Sequence, residues 1–203
     1  PQEVTMFSKT LRNTVTGAAL GAAALLPMTQ ANAAEYQIDS KGQHAFIQFK
    51  ISHLGYSYVL GTFDDFTGTF NYDPDAPEAS SANVEVDVSS LHTAHAERDK
   101  HILSDDFLDA SEYPTATFES TGFESTGDGE GELSGNLTLH GETQPITIDV
   151  EHIGGGDDPW GEYRHGFEGT TTLTLADFGI DTSKLGPTAS TVEMYLVVEG
   201  IRQ

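Results

Sequence analysis

The chain carries eight histidines, and three of them, His92, His95 and His101, fall close together around Arg98 and Asp99. The His-x2-His spacing of His92 and His95 would let two imidazoles reach one metal shell. A zinc-peptidase helix would need His-Glu-x-x-His, however, and the chain has neither that motif nor any cysteine. Arg98 and His101, three apart, meet the same neighbours if the segment is helical. Arg98, Asp99 and His101 therefore read as a structural clamp that holds a helix to a rim through charge-assisted hydrogen bonds. A nucleophile is no better supported. No Gly-x-Ser-x-Gly elbow is present, and the Ser52-His53 pair falls in a strand or turn. Gly154 to Gly156 is not followed by the Lys-Ser/Thr of a phosphate-cradling loop. The expectation is a protein without catalytic residues, metal ligands or cofactor. A metal-binding or enzymatic site around His92, His95 and His101 is the alternative.

The elements that must position these residues are mostly strands. Only Thr93 to Ala110 reads as helical: Thr93 caps a helix running through Leu103, and Ser104 caps a second turn with Phe107 and Leu108. That spacing would turn Ile102, Leu103, Phe107 and Leu108 inward and leave Glu97 and Lys100 in water. Elsewhere apolar residues alternate, the signature of half-buried antiparallel strands. A short strand at Tyr36 to Ile38 precedes one in which Ile47, Phe49 and Ile51 share a face. In Val59 to Tyr72 the residues Phe66, Gly68, Phe70 and Tyr72 alternate while Phe63 has the opposite parity, which predicts a bulge near Asp64-Asp65.

Asn83 to Val88 is the cleanest alternation, and further strands are expected over Thr115 to Phe123, Gly131 to Leu139, Gln144 to Ile153, Tyr163 to Leu175 and Thr191 to Gln203. His140-Gly141-Glu142-Thr143 is a tight hairpin connection, and Gly154 to Pro159 reads as a longer, mobile loop. About eight such strands suffice to close a barrel, with a two-sheet sandwich as the rival arrangement. Gly61, Gly68, Gly135, Gly166 and Gly169, placed inside strands, would permit the bends and close approaches of a barrel.

Residues 6–33 read as a cleaved secretory signal: Lys9 and Arg12, an uncharged run from Val15 to Leu26, then Pro27 and Ala31-Asn32-Ala33. The run is shorter than a bilayer span requires. Cleavage would leave one domain, 34–203, in the periplasm, with no lipobox cysteine and hence no stable membrane anchor. With 32 Asp and Glu against 9 Lys and Arg, the surface repels nucleic acid and anionic head groups.

The run from His92 through Phe107, followed by Glu112-Tyr113-Pro114 and Phe118, resembles the signature of the YceI-like family. Gly42 to Phe46, His53 to Ser57, Gly61 to Phe70, Gly135 to Gly141, Gly154 to Gly161 and Asp177 to Ile180 extend the resemblance in the same order. It covers essentially the whole of 34–203. The resemblance implies an all-β, eight-stranded antiparallel lipocalin-like barrel with the helical insertion at 93–110. It further implies that the partner is a long-chain isoprenoid lipid, a polyprenyl pyrophosphate or an isoprenoid quinone. The expected role is that of a periplasmic binding or carrier protein.

Within such a barrel, strand parity nominates Ile47, Phe49, Ile51, Phe70, Val84, Val86, Phe107, Phe118, Leu137, Ile146, Ile148, Phe167 and Leu196 as the ligand-binding lining. Trp160, Tyr163, Arg164 and His165, after the glycine run, are the polar candidates for its mouth. The acidic surface would favour a neutral quinone head over a pyrophosphate unless Arg98, Arg164 or a metal ion compensates. A homodimer is compatible with this reading, as is a module that docks through its outer face on a membrane redox protein.

Overall fold

The computed structural model describes residues 33–42 and 44–203; the expected signal segment as far as residue 32 lies outside the described residues. Eleven strands form one antiparallel sheet: β1 Ala34–Ile38, β2 Phe46–His53, β3 Ser57–Phe63, β4 Phe66–Tyr72, β5 Ser81–Asp87, β6 Leu91–His92, β7 Thr115–Gly127, β8 Glu130–Leu139, β9 Glu142–Asp157, β10 Tyr163–Thr174 and β11 Thr191–Arg202. The helix α1, Ala96–Ile102, follows β6.

These strands make eight courses, because three courses are each built from two pieces. β11 pairs with β2 along its first half and with β1 along its second, so β1 and β2 are one interrupted course. In the same way β3 and β4 pair with β2 and β1, and β6 and β5 pair with β3 and β4. From there β5, β7, β8, β9, β10 and β11 follow as neighbours, and the β1 to β11 pairing closes the barrel. Each course pairs with its neighbour in sequence, so short connections suffice, and closure removes most of the edge an open sheet would expose.

The interruption of β3 and β4 at Asp64 and Asp65 is where the parity of Phe63 and Phe66 conflicts. There Asp64 donates its amide to Ser90 O at 3.2 Å, and Asp65 O accepts from Asp87 N at 2.9 Å. The β8–β9 hairpin turns on His140 and Gly141, both with positive φ (52° and 78°), the pattern of a two-residue type I′ turn.

Two expectations are corrected. Gly154 to Asp157 is not a loop but the end of β9, paired residue by residue with Tyr163 to Gly166. The glycine is required because the His165 ring lies where a Cβ on Gly155 would stand. The helical region is shorter than expected: α1 is capped by His95, whose Nδ1 accepts from Arg98 N at 3.2 Å. Thr93 is not the cap. Its amide and hydroxyl instead donate to Asp99 Oδ1, the amide at 2.9 Å. After α1 the chain runs in turns to Pro114, broken by the positive φ of Asp109 (40°).

Two clusters of buried residues form the core. One gathers Phe49, Val88, Leu91, Leu108, Leu173, Phe178 and Val192 on the α1 side. The other gathers Tyr36, Ile38, Ile47, Phe66 and Phe70 toward the opposite end.

Candidate ligand-binding cavity

Residues of both clusters line a cavity of about 630 Å³, within the range of small-molecule sites. Its wall is the inward face of nearly every course. Ile47, Phe49 and Ile51 come from β2, Phe70 from β4, Val84 and Val86 from β5, and Phe118 from β7. Leu137 comes from β8, Ile146 and Ile148 from β9, Phe167 from β10 and Leu196 from β11. Phe107 closes over them from the turns after α1, together with Ile102 and Leu108, while Leu103 packs into the neighbouring core.

The lumen exists because aromatic rings lie flat on the wall rather than across it. The Phe49 ring covers Gly61, its direct partner on β3, and the Phe118 ring covers Gly135, diagonally across on β8. A Cβ at either glycine would overlap the ring.

Polar groups reach the cavity mainly at its ends. On the α1 side stand Ser52, His53, Arg98, His101, Thr182 and Lys184; on the other, Asn71, Ser80 and Ser81. Arg98 is held by two bonds to Thr93, from Nε to Oγ1 at 2.7 Å and from Nη2 to the carbonyl oxygen. The clamp expected of Arg98 and Asp99 therefore closes on Thr93, a buried residue whose methyl abuts Gly61 of β3. His101 takes a different role: its Nε2 lies 3.2 Å from Asp106 Oδ2 and its ring packs on Phe107. Lys184 Nζ lies 3.7 Å from the same carboxylate.

The three histidines of the alternative metal site have separate partners. His92 leans to Asp99 at 3.6 Å, His95 caps α1, and His101 meets Asp106. Among the described residues, the group whose histidine and carboxylate atoms do converge is Asp39, His44 and Glu199. Its carboxylates are engaged by Arg164, which no longer serves as a mouth residue.

Arg164 donates from Nη1 to Asp39 at 2.8 Å and Glu199 at 2.7 Å, from Nε to Asp158 at 2.6 Å and from Nη2 to Glu162 at 2.6 Å. The four bonds raise its pKa above the ordinary arginine value, and Arg164 in turn holds Asp39 below the usual carboxylate range. Tyr163 and His165 also lie off the cavity wall, and Trp160 is exposed on the surface. All four were placed at the mouth because they follow the glycine run. They stand at the β9–β10 connection, which lies at the end away from α1.

His165 is buried there with its Nδ1 2.8 Å from His152 Nε2, in a nest of Tyr36, Tyr72, Tyr163 and Phe167. Burial pushes the pKa of both imidazoles down, with each other's proximity adding to it for His165.

Strand parity would also have found Phe123, Leu133, Val150 and Met194 on the wall. Thr182, Lys184 and Leu185 come from an irregular segment with no periodic signal.

The chain matches the family model described as the YceI-like domain over residues 36–200. A UPF0312 protein of Ectopseudomonas mendocina is 56% identical over 193 residues, spanning 95% of this chain and 100% of that protein. One from Azotobacter vinelandii is 54% identical with the same coverage.

Among solved structures, a Campylobacter jejuni YCEI protein superposes with a TM-score of 0.67 at 28% identity, covering 75% of this chain and 90% of that one. Burkholderia cenocepacia BcnA gives 0.71 at 22% identity, over 80% and 98% of the two chains. A polyisoprenoid-binding domain from Saccharophagus degradans gives 0.62 at 17% identity, over 84% and 99%. The last two similarities speak to the fold.

Proposed function

Because the chain belongs to the YceI-like family, we propose that it is a carrier that encloses the tail of a long-chain isoprenoid lipid in its barrel and works in the periplasm. The observation that carries this reading is the cavity itself, walled by aliphatic and aromatic side chains from nearly every course and polar chiefly at its ends. A polyprenyl tail placed there leaves water at a gain of roughly 25 cal/mol per Å² of apolar surface buried. Long, flexible and unfunctionalised, such a tail needs shape and hydrocarbon more than directed hydrogen bonds. The polyisoprenoid-binding domain of similar fold supports the same ligand class.

The head group belongs at the α1 end, where Arg98, His101 and Lys184 border the cavity. Arg164, the other arginine considered for that role, is neutralised by four carboxylates at the far end. A polyprenyl pyrophosphate would find Arg98 and Lys184 there, although Asp106 already leans on the lysine. A quinone would need only donors to its carbonyl oxygens.

Native mass spectrometry of the protein isolated from its own cells, followed by organic extraction, tests the reading. The expected result is a stoichiometric isoprenoid. A protein that is empty, and that after delipidation takes up neither polyprenol, polyprenyl pyrophosphate nor quinone, overturns it.

A further inference from the structure

The outer face of the β2–β3 hairpin departs from the acidic character of the chain from Glu35 onward. From Ser40 to Phe63 there is no Asp or Glu, in a sequence with a formal net charge of -23. The only formal charges there are Lys41 and Lys50, and Lys50 is held by Glu193 at 2.8 Å and lies over the Tyr58 ring. On this uncharged stretch Leu54 is 48% exposed, Tyr56 86%, Tyr58 62% and Leu60 64%. Tyr58 and Leu60 alternate on the outer face of β3, where the residues before Thr62 have β2 on one side and no strand on the other.

The patch is continuous with the cavity mouth. Leu54, at the tip of the hairpin, is exposed and also lines the cavity beside Ser52 and His53. Its side chain approaches Gly186, and Gly55 approaches Thr188, in the segment that brings Lys184 and Leu185 to the cavity. Arg98 and Lys100 of α1 belong to the same end.

We infer that this hairpin is a lip that docks on a lipid bilayer of neutral net charge and lets cargo pass between bilayer and cavity at the α1 end. The inference rests on the carrier reading. Tyrosine and leucine on an uncharged tip suit the bilayer interface, where a ring sits among head groups with its hydroxyl still wet. The absence of carboxylates on the hairpin itself removes the local repulsion from lipid phosphates there, and Lys100 stands at the same end, where Arg98 is held by Thr93 and Lys184 leans on Asp106 beside the exposed Glu97 and Asp105. A second copy of this chain meeting the first patch to patch would cover the same tyrosines and leucines, and would bring the two cavity mouths face to face instead of to a source of lipid.

The test uses the triple variant Tyr56→Ser/Tyr58→Ser/Leu60→Ser, checked for folding by circular dichroism, with Trp160→Ser at the far end as control. Flotation with cargo-free phosphatidylcholine vesicles reads docking alone. Uptake of a polyprenol from detergent micelles reads the cavity alone, and transfer of that polyprenol out of the vesicles reads both. The triple variant is expected to lose vesicle binding and to transfer at least about tenfold more slowly. Its uptake from detergent and all behaviour of Trp160→Ser should match the wild type.

Equal vesicle binding and transfer in wild type and triple variant overturn the lip. So does a wild-type dimer that the triple substitution dissolves, which assigns the patch to a second copy. Failure of the wild type to take up polyprenol from detergent overturns the carrier reading, while flotation still decides the lip.

Discussion

If the lumen is what selects the ligand, affinity should follow tail length until the lumen is full and then stop. At the volume a water molecule occupies in the liquid, about 30 Å³, per carbon atom, the 630 Å³ cavity holds on the order of 20 carbons, about four isoprene units. Transfer of hydrocarbon at roughly 0.8 kcal/mol per methylene would make each five-carbon unit worth about 4 kcal/mol gross. Ordering a flexible tail takes much of that back. Extended ligands typically realise about 0.3 kcal/mol per non-hydrogen atom, which leaves about 1.5 kcal/mol, or roughly a tenfold change in Kd, per unit. A series of polyprenols from two to eight units, presented from cyclodextrin and measured by competition against a fluorescent lipid, should show this slope up to about four units and little gain beyond. Val84→Trp, which places an indole in the lumen, should move the break to roughly three units or fewer. A slope that continues undiminished to eight units, or one absent below four, would refute the reasoning, because binding would then be limited by something other than this volume.

Other parts of the molecule make separate predictions. Gly135→Val should drive the Phe118 ring off the wall and into the lumen, costing about 1–3 kcal/mol in urea denaturation and weakening polyprenol binding, with Phe118→Ala in the same chain restoring the binding. For the His152 and His165 pair, whose folded pKa values lie below the unfolded one, protons are taken up preferentially by the unfolded chain. Stability should therefore be full above about pH 6.5 and fall as the pH drops through that value toward the folded pKa values. Urea midpoints between pH 8 and 5 should show a shallower loss in His165→Gln. Arg164→Gln strands Asp39, Asp158, Glu162 and Glu199 together. The variant should unfold at a lower urea concentration than the wild type, because four carboxylates are left facing one another without their shared cation. Since Asp39 is depressed by Arg164, its share is present above about pH 4 and lost as the pH falls through the folded value, so wild-type and variant midpoints should converge in acid.

The fold was legible because burial in a barrel imposes period two, and period two is written in residue type. Asn83 to Val88 or Leu133 to Leu139 could be assigned to one face without any knowledge of their partners, and the mismatch of Phe63 with Phe66 located the break between β3 and β4. What misled was glycine. Gly154 to Gly156 looked like a loop because glycine is common in loops. In a barrel it also stands where a ring from the next strand must lie against the backbone, as His165 does over Gly155. The four mouth candidates that follow the run lie off the cavity wall, at the β9–β10 connection. Thr93 misled for a related reason: a threonine before a helix suggests a cap, but its hydroxyl binds Asp99 inside the helix while His95 caps. Lys184 and Thr182 were invisible because they reach the cavity from a segment without periodicity.

Parity says which way a side chain points but not how far it reaches, so a solid barrel and a hollow one share the same alternation. The distinction lies in the pairing of large with small across neighbouring strands. Phe49 opposite Gly61, and Phe118 and Phe123 diagonal to Gly135 and Gly131, each fold a ring down onto a bare stretch of backbone. A ring so placed covers the wall, shields its hydrogen bonds and leaves the axis clear. The same rings over alanine would have to stand upright and fill the lumen, since a Cβ would occupy the space they lie in. The glycines thus contribute to function by what they let their neighbours do. If that is right, enlarging them should abolish lipid uptake before it abolishes the fold, because the cost of tilting one ring is small beside the stability of an eight-course barrel.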